Sequence, residues 1–441
     1  MDAMAYGGQA VARCDGYVLF VKYAAPGDRI RARVTRTKKT YGEADLMEVI
    51  APSAERAEPR CAIFGHCGGC SWQHLPIETQ RAWKERIVRD SLRPLPGGDA
   101  IPLRPLIPSP DTWRYRNKTE FTFSRDASGL RAGFHTPGNW WRILDVENCH
   151  IIPEAKNTIR HAAVQEGIRQ DLTAWDGRSH TGTLRQLVLR HCVANDTFLA
   201  MVLTGDRAMD FPAMADAIMA AEPRVAGVAW GLNDNVSDVA RANEILATRG
   251  DDSFEEHLGE LKFRVSLASF FQTNTRGAEK LYEATREALD LTGRERLLDA
   301  YCGTGTIGIY CATGVREIYG IELVQEAIWD ARANAARNGV ENATFLAGDM
   351  RHTLPILMNS VEGSIDRLVV DPPRGGMDAK ALDKLLALRA PIVAYVSCNP
   401  TTMSRDLAVA MEAGYRIEYV TPVDMFPQTY HVECVAKLVL G

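Results

Sequence analysis

The sequence predicts an α/β protein whose last part, about residues 263–441, is a doubly wound and largely parallel sheet. Three observations carry that expectation. Short apolar runs recur along the stretch, among them Arg296-Leu297-Leu298-Asp299-Ala300 and Ile392 to Ser397. A glycine turn, Cys302-Gly303-Thr304-Gly305-Thr306, follows the first run and leads into a helical segment, Ile307 to Ala312. Strand-like and helix-like segments then alternate six times, as they do in an open, Rossmann-like sheet.

Ahead of that sheet, residues 1–52 form a smaller unit. Ala10 to Arg13, Tyr17 to Val21 and Arg29 to Val34 are short strands parted by glycine and proline turns, as in a small β-barrel of the oligonucleotide-binding (OB) type. Arg29, Arg31 and Arg33 alternate onto one face, and Arg36, Lys38 and Lys39 prolong the charge with no acid between them. A cationic groove for phosphates is expected, a solvated basic edge being the plainer alternative. The unit opens almost directly on Ala5-Tyr6-Gly7-Gly8, so its first strand should be short.

Residues 53–262 read as a central α+β domain. Leu184 to Arg190 and Thr197 to Leu203 alternate like strands, and Arg114 to Phe121 mixes cations with aromatics. Gln80 to Leu92 is helical, and with the proline-rich link Pro94 to Pro110 it gives a segment, 81–111, expected to cross to the C-terminal domain.

In the C-terminal part, Glu317 to Glu322 is the second strand, followed by Val324, Ala327, Ile328, Ala331 and Ala335 on one helical face. The third unit ends at Gly348-Asp349; Ile365 to Asp371, Ile392 to Ser397 and Tyr415 to Val420 are the fourth to sixth, and His431 to Leu440 the last. Ligands of such sheets sit at the carboxyl ends of the strands, where glycines let the backbone approach. Glu322, ending the second strand, is suited to ribose hydroxyls.

Composition bounds the function. The chain has 441 residues, 46% hydrophobic and 24% charged, with a formal net charge of -5. That charge argues against a protein coated in cations, so any nucleic-acid contact must be local. No run approaches a membrane span, and Met1 to Gly16 lacks the basic start and apolar stretch of a secretion signal. The expected setting is cytoplasmic, where thiols stay reduced and close-spaced cysteines bind metal or do chemistry.

Two constellations stand out. Asp371-Pro372-Pro373-Arg374 leaves a rigid carboxylate at the sheet rim, a methyltransferase feature; Cys398 closes one apolar run and Glu433 opens another, as a nucleophile and a proton acceptor would. Cys61, Cys67 and Cys70, with intervening glycines and a distant Cys149, could supply four thiolates to zinc or to a 4Fe-4S cluster, and spacing alone does not choose.

The chain resembles the RNA uracil-C5 methyltransferases, in particular the iron-sulfur branch that includes the 23S ribosomal RNA enzymes. The resemblance rests on Phe270-Phe271-Gln272-Thr273-Asn274, Asp299 to Gly303, Gly320-Ile321-Glu322, Asp371 to Arg374, Ser397 to Pro400, and Asp424 to Gln428 running into His431-Val432-Glu433. It implies Cys398 as nucleophile and Glu433 as base. Gln272, Tyr301, Glu322 and Asp371 would bind S-adenosyl-L-methionine, with Asp349 and Thr306 as further contacts. It further implies Cys61, Cys67, Cys70 and Cys149 as ligands of a 4Fe-4S cluster, a TRAM module at residues 1–52, and Arg116, Asn117 and Lys118 near the RNA. The last strand would run antiparallel beside the fifth, bringing Cys398 and Glu433 to one rim. The expected partner is structured RNA, 23S rRNA first, bound by a monomer without membrane contact. The alternatives are a transfer RNA uridine C5 enzyme, an exocyclic-amine methyltransferase needing neither Cys398 nor Glu433, and a non-catalytic RNA-binding iron-sulfur protein.

Carbon 5 of uracil is a poor nucleophile. A thiolate added to carbon 6 turns it into an enolate carbon able to attack a methyl group, and a base must then remove the original proton. Cys398, before a helix expected near Thr401, would gain anionic character from the positive helix terminus.

Overall fold

The structure is a computed structural model that describes all 441 residues, the side chain of Trp140 excepted. The N-terminal sheet contains β1 (Ala3–Met4), β2 (Ala10–Cys14), β3 (Tyr17–Val21), β4 (Arg29–Thr37) and β5 (Tyr41–Ala51), ordered β1-β2-β3-β5-β4. Its first strand is indeed short, two residues long. The arginines of β4 do not stand free. Arg31 pairs with Glu48 at 2.6 Å, Arg33 with Asp45 at 3.5 Å and Arg36 with Glu43 at 3.7 Å, each across to β5. Three of the six cations of the expected cationic face are thereby partly neutralised. Acids missing along β4 arrive from its antiparallel neighbour, which is adjacent in space and not in the local sequence.

Helix α1 (Ile77–Leu92) ties this sheet to the C-terminal part. Its Trp83 and Ile87 join the N-terminal core with Trp72, Leu75 and Val21, whereas Val88 and Leu92, a turn on, pack among residues of the C-terminal sheet. Helical periodicity alone lets one element serve two cores.

The central domain holds β6 (Lys118–Asp126), β7 (Gly129–Thr136), β8 (Asn139–Asp145), α2 (Glu154–Arg169), β9 (Leu184–Cys192), β10 (Thr197–Thr204), α3 (Phe211–Ala221), β11 (Val225–Leu232) and β12 (Glu244–Gly250). Its sheet is ordered β12-β11-β10-β9-β6-β7-β8, and α2 and α3 share a core with it. A hairpin follows, β13 (Ser253–Leu258) with β14 (Leu261–Ser266). Leu258, Phe263 and Val265 pack with the C-terminal sheet, so packing carries that unit back to Ser253, earlier than residue 263.

The C-terminal domain continues with α4 (Thr275–Ala288), β15 (Arg296–Ala300), α5 (Thr306–Cys311), β16 (Glu317–Glu322), α6 (Gln325–Arg337), β17 (Ala343–Ala347) and α7 (Met350–Ser360). Then come β18 (Arg367–Val370), α8 (Ala379–Ala387), β19 (Ile392–Ser397), α9 (Pro400–Glu412), β20 (Tyr415–Val423) and β21 (Glu433–Leu440). The sheet is ordered β17-β16-β15-β18-β19-β21-β20. β15 to β19 run parallel, and β21 runs antiparallel to both neighbours. Side chains alternate across it: Leu298, Val370 and Leu407 pack on one face, Leu297, Val369 and Leu281 on the other. Burial of both faces is why its strands read as continuous apolar runs. The order reverses between β15 and β18, which opens a crevice at the strand ends. Residues 103 and 107 add single bridges to β20, at Leu103 with Val420 and Ile107 with Val423. Among the described residues no helix is long and apolar enough to cross a membrane.

Candidate active site

β19 and β21 end their ladder with Ser397 opposite Cys434, and the same register sets Cys398 opposite Glu433 one residue further on. Both line one cavity of about 1570 Å³ at the carboxyl end of the sheet. Cys398 is held in a tight turn into α9. Ser397 Oγ accepts from the Asn399 amide at 3.1 Å, and Asn399 Oδ1 caps the helix by accepting from the Thr401 amide at 3.0 Å. Pro400 at the first helical position gives up an amide that would have no partner there.

Glu433 is 6% exposed. Burial pushes its carboxyl up to about 8, with Asp371 adding to the rise and Arg374 opposing it. Burial likewise raises the Cys398 thiol to about 11, Glu433 and Asp371 contributing, Arg374 again opposing. The positive helix terminus that favours a thiolate is outweighed here, by burial first and then by the neighbouring acids. Arg374 is the cation that acts on both groups, and its carbonyl accepts from Asn399 Nδ2 at 3.1 Å. Its position, last in the acid-proline-proline turn, was the available signal. His431, the other potential base, has its ring 4.1 Å from that of Tyr430, and burial lowers it to about 4. It is a weak proton acceptor.

The crevice beside these residues is shaped by left-handed backbone. Tyr301 has φ +65°, Gly303 +54° and Gly305 +76°. A Cβ on Gly305 would come 2.9 Å from Phe345 Cζ, so that position needs glycine. Tyr301 adopts this conformation at a cost of roughly 1–3 kcal/mol. Glu322 accepts from the Gly303 amide at 3.2 Å and the Val324 amide at 3.0 Å, fixing its carboxylate at the end of β16. Asp299 lies buried beneath, accepting from the Gly308 amide at 2.9 Å, and burial raises it to about 8. Asp371 is raised by burial to about 6. Gln272 is anchored through its carbonyl, which accepts from Asn117 Nδ2 at 2.8 Å, while the Tyr282 phenol bonds the side chains of Gln272 and Thr306.

Gln272, Tyr301, Glu322 and Asp371 therefore line the cavity that holds Cys398 and Glu433. Of the two lesser expected contacts, the Thr306 hydroxyl bonds that of Thr304, a wall residue, at 3.1 Å, and Asp349 caps α7 and pairs with Arg351 at 2.7 Å. Of the segment expected near RNA, Arg116 and Lys118 line the cavity, whereas Asn117 is buried and structural. A carboxylate for ribose hydroxyls at Glu322, with half-buried Asp371 adding negative potential, fits a nucleoside ligand bearing positive charge.

The cavity extends to Cys61, Cys67, Cys70 and Cys149, all free thiols. Burial raises Cys70 to about 12 and Cys149 to about 11, and Cys67 and Cys61 raise both further. The Gly69 amide donates to Cys67 Sγ at 3.3 Å. The donor chemistry fits a metal centre. Even so, no three His, Cys, Asp or Glu among the described residues are gathered closely enough to grip a metal ion.

Such a sheet and crevice, joined to an N-terminal barrel-type sheet, define an S-adenosylmethionine-dependent methyltransferase with a nucleic-acid-binding appendage. Residues 235–439 match the tRNA (Uracil-5-)-methyltransferase family model, and residues 2–47 match the TRAM domain. The chain is 35% identical to an RNA methyltransferase of Halalkalibacterium halodurans, covering 100% of this chain and 96% of that protein. It is 37% identical to an RNA methyltransferase of Porphyromonas gingivalis over 98% and 97% of the two chains. Its structure is similar to the Pyrococcus abyssi tRNA (uracil-54, C5)-methyltransferase in complex with S-adenosyl-L-homocysteine, with TM-score 0.79, 28% identity and 100% of both chains covered. The chain belongs to the RNA uracil-5-methyltransferase family, and its methyl donor is S-adenosylmethionine.

Proposed function

We propose that this enzyme methylates carbon 5 of a uridine in structured RNA through a covalent bond between Cys398 and carbon 6. The observation that carries this reading is the opposition of Cys398 and Glu433 at the end of one ladder. Cys398 gives up its proton to solvent and its sulfur adds to carbon 6, moving the ring electrons onto carbon 5 and the neighbouring carbonyl oxygen. Arg374 favours the thiolate that adds. The bound S-adenosylmethionine supplies a methyl carbon carried on positive sulfur, held by Gln272, Tyr301, Glu322 and Asp371. Once carbon 5 has taken the methyl group, Glu433 removes its remaining proton, the ring double bond reforms, and Cys398 leaves as thiolate. The raised pKa of Glu433 suits a base working near neutrality.

Cys61, Cys67, Cys70 and Cys149 are the proposed ligands of a 4Fe-4S cluster, in a structural or RNA-contacting role since the transfer needs no electron. The four-thiol donor set supports it. The proposed RNA is 23S rRNA, in the cytoplasm, acted on by a monomer. The similarity to a tRNA enzyme favours tRNA as the second reading. Comparing 5-methyluridine in ribosomal and transfer RNA from cells with and without the protein tests both. Loss from 23S rRNA alone supports the first, loss from tRNA the second, and no loss from either removes the uridine reading.

A further inference from the structure

We propose that Tyr6, in the N-terminal TRAM domain, is a positioning residue of the catalytic centre, so that this domain sets the rate of the chemical step besides holding RNA. The inference rests on Cys398 being the nucleophile. The Tyr6 hydroxyl donates to the carbonyl oxygen of Cys398 at 3.4 Å, across 392 residues of sequence. Its ring meets that of Tyr430 edge-on at 5.5 Å, and Tyr430 in turn lies 4.1 Å from His431, two residues before Glu433. One phenol thus touches the segments that carry both reacting groups. Tyr6 is half-buried and is not among the residues that line the cavity.

The surrounding contacts make this a clamp. Gly8, with φ +85°, lies so close that a Cβ there would come 2.8 Å from Tyr430 Cδ1. The Gly8 carbonyl accepts from Trp72 Nε1 at 3.1 Å, and the Tyr430 amide donates to Ser71 Oγ at 3.1 Å. The Ser71 and Trp72 amides both donate to the Gln428 carbonyl at 3.0 Å. Gln428 itself has φ +70°, a conformation that persists only where neighbours hold it, and Gln80 does so, donating to Gln428 Oε1 at 3.0 Å and accepting from its amide at 2.8 Å. Three segments far apart in the chain therefore lock together behind Cys398 and Glu433: the Tyr6–Gly8 turn, the turn after Cys70, and the loop before β21. Burial raises the Tyr6 phenol, so it stays a neutral donor at working pH. Small displacements of reacting atoms are costly in rate, which gives such a clamp kinetic weight.

The test uses full-length Tyr6→Phe and Tyr6→Leu with RNA from cells lacking the protein and labelled S-adenosylmethionine. Loss of one neutral hydrogen bond corresponds to roughly a fivefold to tenfold fall in kcat for Tyr6→Phe, with KM within about twofold and melting unchanged. Tyr6→Leu falls further. A second readout needs no RNA: alkylation of Cys398 by iodoacetamide, followed on its peptide across pH, should shift in rate in Tyr6→Phe. Unchanged kcat with unchanged alkylation, or an effect on KM alone, overturns the proposal. Were Cys398→Ala to retain turnover, the nucleophile reading would fail on that variant, while the kcat of Tyr6→Phe would still report on Tyr6.

Discussion

Cys398 and Glu433 oppose each other across an antiparallel pair, one residue beyond the point where β19 and β21 stop bonding. Removing either group should arrest the reaction at a different stage. Cys398→Ala should lose methylation by at least three orders of magnitude, a covalent catalyst being absent, while S-adenosylhomocysteine binding measured by calorimetry stays near wild type. Glu433→Gln should instead accumulate a methylated protein-RNA adduct that survives denaturing gels. Full turnover by the first variant, or no adduct with the second, would undo the respective role.

The pH dependence follows from the two acids. The base must be unprotonated and Cys398 must lose its proton, so the rate of a chemistry-limited reaction should rise with pH through about 8 and keep rising toward about 11. Asp371 contributes to holding Glu433 high, so Asp371→Asn should move that limb to lower pH, whatever its effect on absolute rate. Stability runs the other way. A carboxyl raised in the folded state stabilises fully below the ordinary carboxylate range, and that contribution is lost as pH rises through about 8. Melting of the free enzyme should therefore decline from pH 5 to 8.5, and Glu433→Gln should flatten the decline; an unchanged slope would speak against the raised Glu433.

Lys84 and Asp424 form a fully buried pair at 2.6 Å, and Lys84 Nζ also donates to the Phe426 carbonyl at 3.0 Å. Lys84→Met leaves the buried carboxylate only the longer pairing with Arg81, at 3.9 Å, and should cost about 3–5 kcal/mol in denaturant unfolding. Lys84→Met with Asp424→Leu should regain much of that. A single variant as stable as wild type would show that the pair contributes little.

The cysteine wall makes a compositional prediction. Protein purified without oxygen should be brown and contain about four iron atoms if a single 4Fe-4S cluster is present. Cys70→Ser should lose both colour and iron. Stoichiometric zinc in the same preparation would replace the cluster with a tetrahedral site.

Much of the catalytic half was legible because its signals are local. A buried strand, a glycine turn and an acid at a strand end each declare themselves within a few residues, and so Glu322, Asp371, Cys398 and Glu433 stood out, whereas Gln272 and Tyr301 came only from the family resemblance. What escaped depends on neighbours in space. The acids facing Arg31, Arg33 and Arg36 come from β5, and no pattern along β4 announces them. Tyr6 meets Cys398 only because α1 and the Ser71 turn fold the N-terminal domain onto the sheet. The raised Cys398 thiol was misjudged for the same reason: burial and two carboxyls outweigh a helix end, and both are tertiary.

The placement of β21 constrains when this enzyme can come alive. Since β21 fills the gap between β19 and β20, a nascent polypeptide emerging only as far as residue 432 has a methyl-donor crevice with a split seam and no proton acceptor. Two strands with unsatisfied edges must wait for the segment that joins them. Catalytic competence and closure of the seam thus arrive together, when the one segment that supplies Glu433 docks between its two neighbours.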